Sequence, residues 1–102
     1  LTLALLHATA VHKQPDSNRQ QLLTLFRQAG EAGAQLALSP EMAISGYSFA
    51  SRDDIARFTE TVDGPTITSL RHIARRYGMY ICVGLAEREP RSNLFYNSVF
   101  VL

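Results

Sequence analysis

The residues that could do chemistry in this chain are few. Glu41 follows Pro40 immediately after a short apolar stretch, Gln35-Leu36-Ala37-Leu38-Ser39. If that stretch is a buried parallel strand, Glu41 stands at its carboxyl end, where open α/β sheets bind their ligands. Pro40 biases Ser39 to an extended conformation and so fixes where Glu41 projects. Partial desolvation there is expected to raise its carboxyl pKa toward the range useful for a general base. Tyr47, six residues on in the same loop, can line a substrate pocket or pack the loop against the body. Cys82 is the one thiol, but it sits within Tyr80-Ile81-Cys82-Val83 and reads as a small buried strand residue rather than a nucleophile, which needs an accessible, electropositive setting.

Other polar residues read as structural. His7, His12 and His72 fall on three separate elements without metal-ligand spacing, so no metal is expected. The six glycines form neither G-x-G-x-x-G nor a phosphate loop, and no cofactor is expected. Asn97 is expected to bond neighbouring backbone within a sheet. Arg71, Arg75 and Arg76 read as a solvated helix face, with a subunit contact as the alternative.

Several elements must position Glu41. Leu3 to Val11 is apolar or small on both faces, as in a strand covered on both sides. A helix follows, capped by Asp16 or Ser17, with Leu22, Leu25, Phe26 and Ala29 inward and Gly30 and Gly33 at its end. With Leu36–Ser39 this makes a βαβ unit, whose strands are predicted to be adjacent and parallel with a right-handed crossover. Ser51, Asp53 and Asp54 read as a short helix start. Asp63-Gly64-Pro65 turns into a helix whose inward stripe is Ile67, Leu70, Ile73, Ala74 and Tyr77, closed by Gly78. Met79 to Ala86 is a second strongly apolar strand. After a turn at 87–93 a last strand returns, antiparallel to it.

Composition bounds the rest. Of 102 residues, 46% are apolar, as in a globular domain, and the net charge of +1 argues against disorder. It also leaves no electrostatic footprint for nucleic acid or an acidic membrane surface, so neither is an expected partner. A single Cys excludes an internal disulfide framework, and no apolar run reaches membrane-spanning length. The length allows one domain at most. No signal peptide pattern is visible, and a cytoplasmic location is expected. The chain ends in Val99-Phe100-Val101-Leu102, in mid-strand, which predicts a piece of a longer domain, cut within or just after a strand.

One ordered set of marks goes further. Gly33-Ala34, Leu36, Pro40-Glu41 and Gly46-Tyr47 are followed by Asp63-Gly64-Pro65, Tyr77-Gly78, Gly84-Leu85-Ala86-Glu87 and Tyr96-Asn97-Ser98. Over essentially all 102 residues this resembles the N-terminal part of the nitrilase, or carbon-nitrogen hydrolase, superfamily. The resemblance implies an αββα-sandwich (nitrilase-like) fragment, here a mixed sheet with a βαβ start and an antiparallel last strand pair. It implies a Glu-Lys-Cys hydrolase of amide, carbamoyl or nitrile substrates, homo-oligomeric when complete. Glu41 matches the catalytic glutamate of that triad. The lysine and cysteine would lie beyond residue 102, and Lys13, the only lysine, is no counterpart. The rivals are a non-catalytic α/β module that binds a small molecule or a partner, and a flavodoxin-like domain, which predicts an all-parallel sheet.

Overall fold

The computed structural model describes residues 1–102. Strand β1 (Leu3–Leu5) leads through helix α1 (Pro15–Glu31) to β2 (Leu36–Leu38); the short helix α2 (Arg52–Ala56) and helix α3 (Pro65–Tyr77) precede β3 (Tyr80–Arg88) and β4 (Phe95–Val101). The sheet order is β1-β2-β3-β4. Strands β1, β2 and β3 are parallel, with Ala4 opposite Ala37 and Ala37 opposite Ile81, and β4 is antiparallel to β3. The βαβ start and the antiparallel last pair are therefore as the sequence predicts, and the flavodoxin-like alternative falls.

Both long helices lie on one face of the sheet. Leu22, Leu23, Phe26 and Ala29 of α1 and Ile67, Leu70 and Ile73 of α3 pack with Ala37, Ile81, Val83 and Leu85 of the strands. Leu23 takes the buried place expected for Leu25, which is half-buried. The strands alternate, so the opposite face carries Leu3, Leu5, Tyr80, Val99 and Val101, all exposed. Cys82 shares the parity of Tyr80, lies on that open face beside Leu36 and Val101, and is only partly buried. The expectation of full burial is corrected: this chain covers the far end of that side at Gly84 and Ala86 but leaves Cys82 partly open.

Three local features differ from the sequence reading. Strand β1 stops at Leu5, six residues short of Val11. Its neighbour β2 has only three residues before Pro40, so residues past Leu6 have no ladder partner. Asn18 replaces the missing strand: buried in α1, it accepts from Val11 N (2.8 Å) and donates to the carbonyls of Val11 and Ile44 (2.8 Å each). The α1 start is the second difference. The helix begins at Pro15 with Gln14 at the N-cap and no side-chain cap, because Pro15 supplies a preset φ and needs no N–H partner. Asp16 instead sits in the first turn and pairs with Arg19 at 2.8 Å. Gly30, expected at the helix end, lies within α1, where a Cβ would stand 2.4 Å from the Tyr77 ring; Gly33, at φ +83, is the terminator.

The α3 start is fastened by a residue well upstream. Gly64 at its N-cap offers no side chain, and the Glu60 carboxylate accepts from Thr66 N (3.0 Å) and Thr66 Oγ1 (2.7 Å). Arg19 of α1 donates to the same carboxylate at 3.1 Å. The Glu60 backbone bonds Ala86 O and Arg88 N at the end of β3. One nearly buried glutamate thus ties both helices to the sheet. No helix is long and apolar enough to cross a membrane.

Asn18→Ala is expected to lower stability by about 1–3 kcal/mol, the cost of leaving buried backbone groups unpaired. Urea denaturation of the two proteins measures it. Because Asn18 holds the segment leaving β1, the loss should exceed that of Leu25→Ala, whose side chain is only half-buried.

Candidate active site

Glu41 is placed by the abrupt end of β2. Beyond Leu38 the backbone leaves regular pairing but stays fastened to β3: Ser39 N donates to Cys82 O (2.9 Å), Gly84 N to Ser39 Oγ (3.2 Å) and Ala43 N to Gly84 O (2.9 Å). Between these bonds the Pro40–Glu41 backbone lies directly over Gly84. A Cβ at residue 84 would stand 2.8 Å from Glu41 Cα and 3.0 Å from Pro40 O. Glycine inside a strand marks such a close backbone approach. Gly84 is a positioning residue that the sequence reading named only as a family mark, and its place inside an apolar strand was the available signal.

The segment then forms tight turns. Met42 takes a left-handed φ of +47, and Met42, Ala43, Ile44 and Ser45 are buried, anchoring the loop while Glu41 itself stays exposed. Tyr47 returns to Glu41, its hydroxyl donating to Oε2 at 2.7 Å. Asn97 of β4 donates its side-chain amide to Oε1. The expectation that Asn97 bonds only sheet backbone is thereby corrected: it reaches across to a residue 56 positions away, and the link depends on strand register, which the sequence did not supply.

These two donors reverse the expected electrostatics. The Tyr47 hydroxyl first, and the Asn97 amide second, hold the Glu41 carboxyl below the ordinary value, outweighing the small upward push of desolvation. The raised pKa expected from burial is absent because the side chain stands at the open face. Tyr47 moves the opposite way: donating to a carboxylate makes its own ionisation harder, and its pKa is raised.

Beside Glu41 opens a cleft of about 280 Å³, lined by Glu41, Tyr47, Ala10, His12, Met42 and Ser48 among others. Small side chains from the segment after β1 form one wall. Tyr47 lines this cleft, exposed and bonded to the Glu41 carboxylate. His12 stacks near Phe49 with ring centroids 5.3 Å apart. Lys13 is engaged elsewhere, with its Nζ 3.0 Å from Asp54 Oδ1, so it tethers the turn before α1 to α2. Cys82 makes no bond to Glu41, whose side-chain partners are Tyr47 and Asn97. No three His, Cys, Asp or Glu side chains gather in a metal-binding arrangement. The site therefore offers one oriented, ionised carboxylate at the rim of a small-walled cleft.

A carbon-nitrogen hydrolase family model matches residues 2–102, and the chain belongs to that family. It is 34% identical over 90 residues to a nitrilase of Pyrococcus abyssi, covering 87% of this chain and 34% of that protein. It is 34% identical over 68 residues to a protein N-terminal amidase of Saccharomyces cerevisiae, covering 66% of this chain and 15% of that one. A crystal structure of an N-terminal amidase with an Asn-Glu-Ala peptide superposes with a TM-score of 0.83 at 22% identity, covering 98% of this chain and 24% of that one. The fold is therefore nitrilase-like, and the chain spans about a third or less of these relatives.

Two outcomes follow. Gly84→Ala is expected to cost about 1–3 kcal/mol, as overpacking does, because the added methyl meets backbone rather than a flexible side chain; thermal or urea denaturation reports it. Tyr47→Phe is expected to raise the Glu41 pKa, since the leading cause of its depression is removed. Carboxyl ¹³C titration should show the midpoint of Glu41 moving to higher pH.

Proposed function

We propose that the complete protein hydrolyses non-peptide carbon–nitrogen bonds in amide, carbamoyl or nitrile substrates, with Glu41 as general base. The observation that carries this reading is the Glu41 carboxylate, held by two donors at the edge of a cleft, in a segment whose fold and sequence match the carbon-nitrogen hydrolases. Relatives named as a nitrilase and an amidase support the same bond class. The 102 residues form the N-terminal part of that hydrolase domain, and the remainder supplies a lysine, a cysteine and cover for the apolar open face.

For an amide, Glu41 takes the proton of the cysteine thiol, and the thiolate adds to the carbonyl carbon. A thiol gains most of its nucleophilicity on losing its proton. The lysine ammonium stabilises the oxyanion of the tetrahedral adduct. Collapse breaks the C–N bond; the leaving nitrogen takes the proton from Glu41 and departs as ammonia or an amine. Glu41 then takes a proton from water, and hydroxide adds to the thioester. Collapse releases the acid, and the proton returns to the cysteine sulfur. One carboxylate serves both half-reactions because it is ionised at the start of each. The lowered pKa of Glu41 keeps it ionised at neutral pH.

Tyr47 contacts substrate in this reading, as an exposed ring on the cleft wall. In the full-length protein, Glu41→Gln is expected to lower kcat on a small amide by at least about a hundredfold, the lower range for a positioned base. Thermal melting serves as the folding control, and near-wild-type turnover in a well-folded variant would remove Glu41 from the mechanism. The 102-residue segment is expected to show no turnover with either side chain, because it lacks the lysine and the nucleophile this mechanism requires.

A further inference from the structure

We propose that Asn97 is the positioning residue of the general base, its side-chain amide fixing the Glu41 carboxylate from the rigid β3–β4 hairpin; this rests on the reading of Glu41 as that base. A glutamate has three rotatable side-chain bonds, and an exposed one distributes itself among rotamers. A base must instead be held to within about 0.5 Å of its productive place. Tyr47 cannot do this alone, since it belongs to the same loop as Glu41 and moves with it. Asn97 belongs to a different body. Its strand pairs with β3 over seven residues, from Cys82 opposite Val101 to Arg88 opposite Phe95, and Asn97 stands opposite Ala86. Gly84, two residues back on β3 and on the same face, carries the Glu41 backbone. One hairpin thus holds Glu41 at both ends, main chain through Gly84 and carboxylate through Asn97.

The hairpin is itself well fastened. Glu89 in its connection accepts from Arg91 N (3.1 Å), Ser92 N (2.6 Å) and Ser92 Oγ (2.7 Å), and Arg52 stacks on the Phe95 ring at 3.9 Å. Nothing in the strand calls for an amide at residue 97. Asparagine is depleted in strands, and Val99 and Val101, the next residues on the same side of β4, are apolar. Its one side-chain hydrogen bond is to Glu41. A neutral donor suits the task, because it orients the carboxylate while leaving its charge unpaired. A lysine there would compete with the proton to be taken, and an aspartate would repel. The titratable and charged side chains around this space are Tyr47, bonded to Glu41, His12 across the cleft, and Arg52 of α2, stacked on Phe95 two residues along the same side of β4.

The test uses the full-length protein with Asn97→Leu, which keeps the branching at Cγ and removes the donor. We expect kcat to fall about tenfold or more, a part of the roughly 10²–10⁴ that a positioned acid–base group supplies, with KM within about twofold. The acid limb of the kcat profile should move to higher pH, because Glu41 loses one of the donors that favour its ionised form. Asn97→Asp, of equal size, should shift the limb in the same direction and further, with a larger loss, because its charge also repels Glu41; it keeps the test open if the leucine variant folds poorly. In a Glu41→Gln background, Asn97→Leu should cost little further, since the pair acts as a unit. An unchanged kcat and acid limb in folded Asn97 variants would overturn the proposal, as would an equal loss with and without the glutamate. If Glu41→Gln itself kept wild-type turnover, the reading of the base would fall instead, so the two failures are distinguishable.

Discussion

The close passage of the Pro40–Glu41 backbone over Gly84 is the constraint on which this structure turns. Strand β2 must end early enough, and β3 must be bare enough at one residue, for a loop to cross within bonding range of a strand it no longer pairs with regularly. Pro40 interrupts the ladder by lacking an N–H, and Ser39 bridges the interruption with its hydroxyl. The exposed carboxylate inherits its place from this backbone crossing. Burial of Met42 to Ser45 behind it gives the crossing a hydrophobic anchor.

The two sides of the sheet perform different work. The helix side is a finished core, with Phe26, Leu22, Ile67 and Leu70 inaccessible to solvent and the Glu60 carboxylate tying α1 and α3 to the end of β3. The open side carries Glu41 and Asn97. Stability and candidate chemistry are thus separated by one layer of backbone, which lets the site keep an exposed polar cluster without disturbing the packing behind it.

Much of this was legible in the residues. The alternation of helical and strand periodicities gave the βαβ start, Gly33 and Gly78 marked helix ends by the left-handed conformations they adopt, and the run at 95–101 returned antiparallel as expected. Glu41 and Tyr47 were found together because they sit six residues apart in one loop. What escaped depends on pairing between distant segments. The length of β1 is set by the shortness of its neighbour, not by its own apolar run. Asn97 meets Glu41 only once the register of β4 on β3 is fixed, and single residues carry no sign of register. The direction of the Glu41 pKa likewise followed from its donors, which position alone could not name.

The apolar open face has a kinetic consequence. Leu3, Leu5, Tyr80, Val99 and Val101 present a continuous greasy strip to water, and such strips drive association. Cover supplied from within one polypeptide arrives at a rate independent of concentration, whereas cover taken from another copy arrives in proportion to it. The two routes therefore compete on unequal terms, and dilution favours the productive one. For a chain that presents such a strip, the concentration at which folding takes place therefore sets the balance between the two routes.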